Sequence, residues 1–337
     1  MTLVNATVVR GTGMSRTAIA ATLVVWVLLA LAPTVLSFAA LDRLAILFVY
    51  VILALSWNAL AGYAGLVSVG QQLFFGMGAY LVIRLADAGT NVFLAVGLSS
   101  VFVAIIAAVL SRLMLQLKGG EFAVGMWVLS ELAYLLVKLD TRVQGDTGTS
   151  LIAMNSYPSG VRQTSAYLVA FAGMTVVVII LYAFLRSKAG AALQAIRDDE
   201  DAAVAVGVRL TALKSSVFIF AAFAAALAGA VWLTSAITFQ PRAYFGVHWT
   251  AYMIFMVLVG GIGTFEGAIL GALLFFLIEW MFSALGAWYL VGLGFTAVVF
   301  SLLLPHGVFG YLQRRWDLQF LPVGYFVRRA KESSMRV

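Results

Sequence analysis

Ten blocks of apolar residues divide the chain, at about 18–40, 44–61, 66–83, 92–111, 120–137, 166–185, 215–238, 249–259, 268–284 and 288–304. A helix needs roughly 20 apolar residues to cross the hydrocarbon core. In lipid every backbone N–H and C=O must be satisfied within the segment, so blocks of this length specify helices. The chain is therefore expected to be an all-α polytopic membrane protein with about ten transmembrane helices. The block at 249–259 is short and must borrow from the glycine-rich stretch after it. The first block follows Arg10 and Arg16 and is longer than the ~7–15 residues of a signal-peptide core, so it is expected to be an uncleaved helix kinked at Pro33.

Composition narrows the function classes. Of 337 residues, 63% are apolar and only 10% charged, which leaves no stretch able to build an appended soluble catalytic domain. There is no cysteine, and the two histidines, His248 and His306, are far apart, so neither disulfides nor a metal cluster are expected. The net charge of +7 is scattered between apolar blocks, which speaks for topology and against a nucleic-acid surface. With ten crossings, 15 of the 21 Lys and Arg fall on the side that holds both termini and the 186–214 loop. The positive-inside rule makes that side cytoplasmic. The expected organisation is a cytoplasmic tail over 1–17, a transmembrane domain over 18–310 and a basic cytoplasmic tail over 311–337, with an outer loop at 138–165.

The inner loop carries five charges in a row, Arg197, Asp198, Asp199, Glu200 and Asp201, followed by Ala202, Ala203 and Gly207. Five successive charges cannot share one helix face at 100° per residue, so a break is expected near Asp198. Asp198 is expected to cap a new helix, with the following acidic residues meeting the positive end of its dipole. Asp201 at the third position would form a short capping box, and Gly207 would close the helix in the left-handed conformation. Such a two-turn helix is either a connector packed on its own helix ends or a rigid knob docked into a partner.

Two glycine-rich stretches interrupt the spans. The first contains Asn58, Gly62, Gly65, Ser68, Gly70, Gln71, Gln72, Gly76 and Gly78. It reads either as a close-packed helix pair or as unwound backbone whose Asn58, Ser68, Gln71 and Gln72 line a polar route. The second contains Gly260, Gly261, Gly263, Gly267 and Gly271. The last three are expected to form one small-residue stripe on a helix, and the Gly260–Gly261 pair to break the chain before it. Glu121, Glu131 and Glu279 lie in or near spans, where a carboxylate marks a route or needs a partner. Glu131 is the acidic candidate for the route.

These motifs resemble, in order, those of the branched-chain amino acid ABC permeases, over about residues 44–310. Asp201-Ala202-Ala203-x-x-x-Gly207 looks like the EAA-x-x-x-G loop of ABC importer permeases, with Asp for Glu. The run from Asn58 to Gly78-Ala79-Tyr80, the Gly260-Gly261-x-Gly263-Thr264-x-x-Gly267 segment and the closing Leu304-Pro305-His306-Gly307 are similar to the same family, with His306 where Arg is common. The loop at 144–151 keeps only fragments of the family's glycine run. The resemblance is to the M-type branch. It implies that residues 199–207 form the helix that docks on a cytoplasmic ATPase.

The chain contains no Gly-x-x-x-x-Gly-Lys-Ser/Thr, so it cannot cradle ATP phosphates by a P-loop. It is expected to bind no cofactor and to be no enzyme, the ATP being used by partner ATPase subunits. The implied partners are a homologous second permease, two such ATPases, a periplasmic substrate-binding protein and the bilayer of a bacterial inner membrane, with no nucleic acid. The implied cargo is a branched-chain amino acid or a related small polar solute. A stand-alone secondary transporter or channel is the rival reading. It would need coupling carboxylates or inverted repeats with broken helices at midplane.

Overall fold

The computed structural model describes residues 6–9, 13–282, 286–304, 306–316 and 326–329. The long helices are α1 (Gly13–Val35), α2 (Phe38–Asn58), α3 (Gln72–Asp87), α4 (Val92–Met114), α5 (Gly120–Lys138) and α6 (Ser159–Arg186). Two short helices follow, α7 (Lys188–Asp198) and α8 (Glu200–Ala205). The chain then returns through α9 (Leu210–Ala236), the single turn α10 (Pro241–Tyr244), α11 (His248–Gly260), α12 (Phe265–Phe282), α13 (Ala287–Leu303) and α14 (Gly307–Trp316). Each of the ten apolar blocks holds one long helix, but the block at 18–40 overruns α1 into the start of α2, and the block at 66–83 becomes helical only at Gln72. Among the described residues, eight segments are long and apolar enough to span a bilayer, and α3 and α13 are shorter. The protein is a multi-pass, all-α membrane protein.

The apolar blocks sort themselves by burial. α9 is the most buried span, packed against α2, α3, α4 and α6. Its run of alanines explains this, because small side chains let four neighbours approach one helix. Gly229 of α9 meets the carbonyl oxygen of Phe75, and Gly78 of α3 meets that of Ala226, leaving no room for a Cβ at either position. At the other extreme, α1 has only 6% of its span buried. It is tethered to α6 by Trp26 Nε1 donating to Thr175 Oγ1 at 3.0 Å and by Tyr167 OH donating to the Leu29 carbonyl at 2.7 Å. Its remaining face is Val and Leu, as a lipid-facing helix requires.

Two spans are broken. α2 ends in a π-helical turn, Ala59–Tyr63, after which residues 65–71 run without regular structure to α3. A π turn inserted at a helix end widens the backbone and recurs at functional positions. The exposed polar groups are recovered locally: Trp57 Nε1 donates to the Ser68 carbonyl at 2.9 Å, and Leu66 N donates to Leu60 O at 2.9 Å. Between α9 and α11 the chain turns through α10, with Pro241 at its first position, where a missing N–H costs nothing.

Two strand pairs complete the fold. β2 (Thr149–Ser150) pairs antiparallel with β3 (Thr238–Phe239), fastening the 138–165 loop to the end of α9. β1 (Ala6–Val9) pairs antiparallel with β4 (Phe326–Arg329), so the two tails lie on one face. The tail expected over 311–337 is otherwise described only to Trp316, and Pro305 of the closing motif lies outside the described residues.

Candidate functional site

Residues 186–214 build a compact unit on the face where α6 ends and α9 begins. Leu193 and Ile196 of α7 are buried, which fixes where that helix can stop. The break comes at Asp199, one residue after the expected one. Asp198 is the last residue of α7, and Asp199 is the cap of α8, its Oδ1 accepting from Ala202 N at 3.0 Å. Asp201 is then the second helical residue and makes no capping box. Glu200 forms an ion pair with Lys214 of α9, holding α8 against the membrane helices. Gly207 takes φ +89°, and its N–H donates to Val204 O at 2.9 Å while Val208 N donates to Ala203 O at 3.1 Å. This pair of hydrogen bonds is the Schellman closure that glycine permits. Ala203 packs inward, whereas Ala202, Val204, Ala205 and Val206 are exposed.

One side chain ties this unit to both glycine-rich stretches. Arg197 Nη1 donates to the Gly62 carbonyl in the π turn at 2.6 Å, and its aliphatic part lies over Gly65, which takes φ +68°. The same guanidinium occupies the space a side chain on Gly263 would need. Asn58 is fully buried, and its amide is spent in the same place: Gly263 N donates to Oδ1 at 2.9 Å, and Nδ2 donates to the Thr264 carbonyl at 2.9 Å. Asn58, Gly62, Arg197 and Gly263 thus form one polar knot beside the α7–α8 unit.

The second glycine stretch departs from the expected single stripe. Gly263 stands in the turn before α12 with φ +73°, and Gly261 takes φ +132°. Only Gly267 and Gly271 lie on the helix. Gly271 meets the Met256 carbonyl of α11, and Gly260 meets that of Gly267, so α11 and α12 touch backbone to backbone. A turn this tight between two spans requires positive φ, which explains the glycines that periodicity assigned to packing.

Of the other route candidates, Ser68 is buried, its Oγ accepting from Gly70 N at 3.3 Å. Gly70 itself lies against the Met126 carbonyl of α5, and Gly76 lies under the Phe245 ring. Gln71 is buried, with neither polar atom of its side chain hydrogen-bonded among the described residues. Gln72 and Glu131 are brought together. They line a cavity of about 550 Å³ with Trp127, Tyr134, Arg242 and the 245–248 turn. Thr250 Oγ1 donates to Gln72 Oε1, which fixes that amide in one orientation. Tyr134 OH donates to Asp146 Oδ1 at 2.7 Å. The cavity lies at the end of α9 opposite the α7–α8 unit.

Arg242, Tyr134 and His248 are not among the route candidates that the sequence offers. Tyr134 follows Glu131 by three residues, one turn along the same face, and that spacing could have found it. Arg242 and His248 are delivered by the α10 turn, which no local pattern announces. Glu279 lies outside the cavity and accepts from Tyr50 OH at 2.6 Å, so its partnered role is met within the bundle. Glu121 stands exposed in the first turn of α5.

Comparison with known proteins follows the same lines. The family described as branched-chain amino acid transport system / permease component matches over residues 39–305. The high-affinity branched-chain amino acid transport system permease protein LivM of Salmonella typhimurium is 23% identical over 304 residues, which cover 82% of this chain and 71% of that one. The Escherichia coli protein of the same description gives the same identity and coverage. A probable LivM of Methanocaldococcus jannaschii is 22% identical over 267 residues, covering 68% of this chain and 77% of its own.

Proposed function

The chain belongs to the branched-chain amino acid transport system permease family, and from that premise we propose that it is one transmembrane half of an ATP-driven importer. The cargo on this reading is a branched-chain amino acid or a related small polar solute. The chain pairs with a homologous second permease, takes solute from a periplasmic binding protein and draws energy from two cytoplasmic ATPases. It sits in a bacterial inner membrane with both termini cytoplasmic. It performs no hydrolysis itself.

The observation that carries this reading is the Arg197 contact. A helix presented to a partner does work only if its displacement reaches the transport route. α8 presents exposed apolar residues and is capped at both ends, so it behaves as one rigid piece. Lys214 and Arg197 transmit its position, the first to α9 and the second to the π turn of α2 and the α11–α12 turn. Those two turns are where the backbone is already irregular and can change at small cost. Closure of the ATPase pair moves α7 and α8, the knot around Gly62 and Gly263 follows, and the helices lining the route change their packing.

The test is the Gly207→Val variant in the assembled transporter. A β-branched residue at φ +89° is strongly disfavoured, so the Schellman closure opens. The expected result is normal membrane insertion with loss of ATP-driven uptake and loss of the ATPases on affinity purification. Normal uptake by that variant would overturn the coupling assignment. A wild-type chain that purifies alone and moves solute into liposomes without ATP would replace this reading with a stand-alone transporter.

A further inference from the structure

We propose that the cavity between α3, α5 and the α10–α11 turn is a subsite that reads the two charged ends of an amino acid, Arg242 taking the carboxylate and Glu131 the ammonium group. This rests on the permease reading above and adds the residues that recognise the cargo within the membrane part. The cavity, about 550 Å³, lies within the ~300–1,000 Å³ usual for small-molecule sites. Glu131 and Arg242 line it as exposed side chains of opposite charge; neither forms an ion pair among the described residues, and the carboxylate that acts on Arg242 from outside the cavity lining is that of Asp146. Two opposite charges that face one cavity without pairing with each other are complementary to a zwitterion, which engages both at once. A simple cation or anion would compensate only one.

The geometry around the pair fits the remainder of such a solute. A guanidinium binds a carboxylate through two parallel N–H donors, and Arg242 is carried on a turn anchored by Pro241 and the β2–β3 pair. Trp127 and Phe245 give apolar walls for an aliphatic side chain. The Tyr134 hydroxyl proton is committed to Asp146, so Tyr134 does not compete with Arg242 as a donor to the solute carboxylate.

The experiment measures binding of leucine, leucinamide and 4-methylpentanoate to the permease–ATPase complex in nanodiscs, without the binding protein, by saturation-transfer NMR. Leucinamide lacks the carboxylate and 4-methylpentanoate lacks the ammonium group. The wild type is expected to bind leucine more tightly than either. Arg242→Gln should weaken leucine and 4-methylpentanoate by about tenfold and leave leucinamide unchanged, with Arg242→Lys restoring part of the loss. Glu131→Gln should weaken leucine and leucinamide by about tenfold and spare 4-methylpentanoate. Equal effects on all three solutes, no effect on any, or no binding to the wild-type complex would overturn the subsite. If ATP-driven uptake persists and Gly207→Val still abolishes it, the permease reading survives that failure. A wild-type chain that assembles with no ATPase would defeat the permease reading itself.

Discussion

Arg197 Nη1 lies 2.6 Å from the carbonyl oxygen of Gly62, and this bond joins the α7–α8 unit, the proposed ATPase-docking element, to the π turn of α2. A π turn leaves carbonyls poorly used by the helix, and Gly62 offers its own to a cation that arrives from 135 residues away. Arg197→Gln keeps a donor but loses charge and reach. Bonds to charged groups contribute about 1.5–3 kcal/mol, less for a partly exposed side chain, so about a tenfold loss of coupling is expected. In proteoliposomes the variant should hydrolyse ATP at near the normal rate while uptake falls. Uptake and hydrolysis falling in parallel would show that Arg197 serves assembly and not transmission.

Asn58 makes a second, independent prediction. It donates to Thr264 O and accepts from Gly263 N, so each half of the amide has its own partner. Asn58→Asp can still accept but cannot donate, and it places a charge in a buried site. Asn58→Leu loses both bonds and leaves two backbone groups unsatisfied, at about 1–3 kcal/mol each. Both variants should lower the unfolding temperature in detergent, and the Leu variant should release the α11–α12 turn to hydrogen exchange. Unchanged exchange at Gly263 and Thr264 in the Leu variant would remove Asn58 from the knot.

How much of this was legible in sequence varied with the range of the interactions involved. The ten blocks became helices because lipid leaves a long apolar segment no other structure. Gly207 was legible because the end of a helix is a local event. The cap was not settled by local chemistry, since Asp198, Asp199 and Asp201 can all accept from a helix N-terminus. The choice of Asp199 follows from burial of Leu193 and Ile196, which sets the end of α7. Gly263 matched a four-residue stripe by spacing, yet its positive φ belongs to a turn forced by backbone contact between α11 and α12. Gln72 and Glu131 were visible as polar residues in spans, but their meeting was not. Arg242 reaches them only because β2–β3 and α10 turn the chain back toward α5.

The glycines of α3 and α9 make a prediction about packing. A Cβ on Gly78 or Gly229 would overlap a backbone carbonyl, which cannot rotate away as a side chain can. Gly78→Ala and Gly229→Ala should each destabilise by about 1–3 kcal/mol, the usual cost of overpacking. Gly97 of α4 has nothing within 4 Å of its Cβ position, so Gly97→Ala should be neutral or slightly stabilising through helix propensity. Thermal unfolding in one detergent compares the three directly. Equal stability for all three would mean that α3 and α9 can separate freely.

The loop fastened by β2 and β3 carries the pH prediction. The hydrogen bond from Tyr80 holds the Asp140 carboxyl below the usual carboxylate range, with the Arg142 N–H and the Arg84 guanidinium adding to it. The Lys138 ammonium and the Tyr134 hydroxyl do the same for Asp146. A carboxylate whose folded pKa lies below its unfolded value stabilises the fold above the unfolded pKa, and that contribution is lost as pH falls through the folded one. The unfolded value is about 3.9, so the loop should hold its protection against proteolysis from neutral pH to about 5 and lose it below about 4. Asp140→Asn keeps an acceptor for Tyr80 and Arg142 but has no proton to gain, so it should be less protected at neutral pH and flatter across the acid range. Limited proteolysis of residues 139–157 from pH 7 to 3 measures both curves, and a wild-type curve as flat as the variant's would dismiss Asp140 as a fastener of this loop.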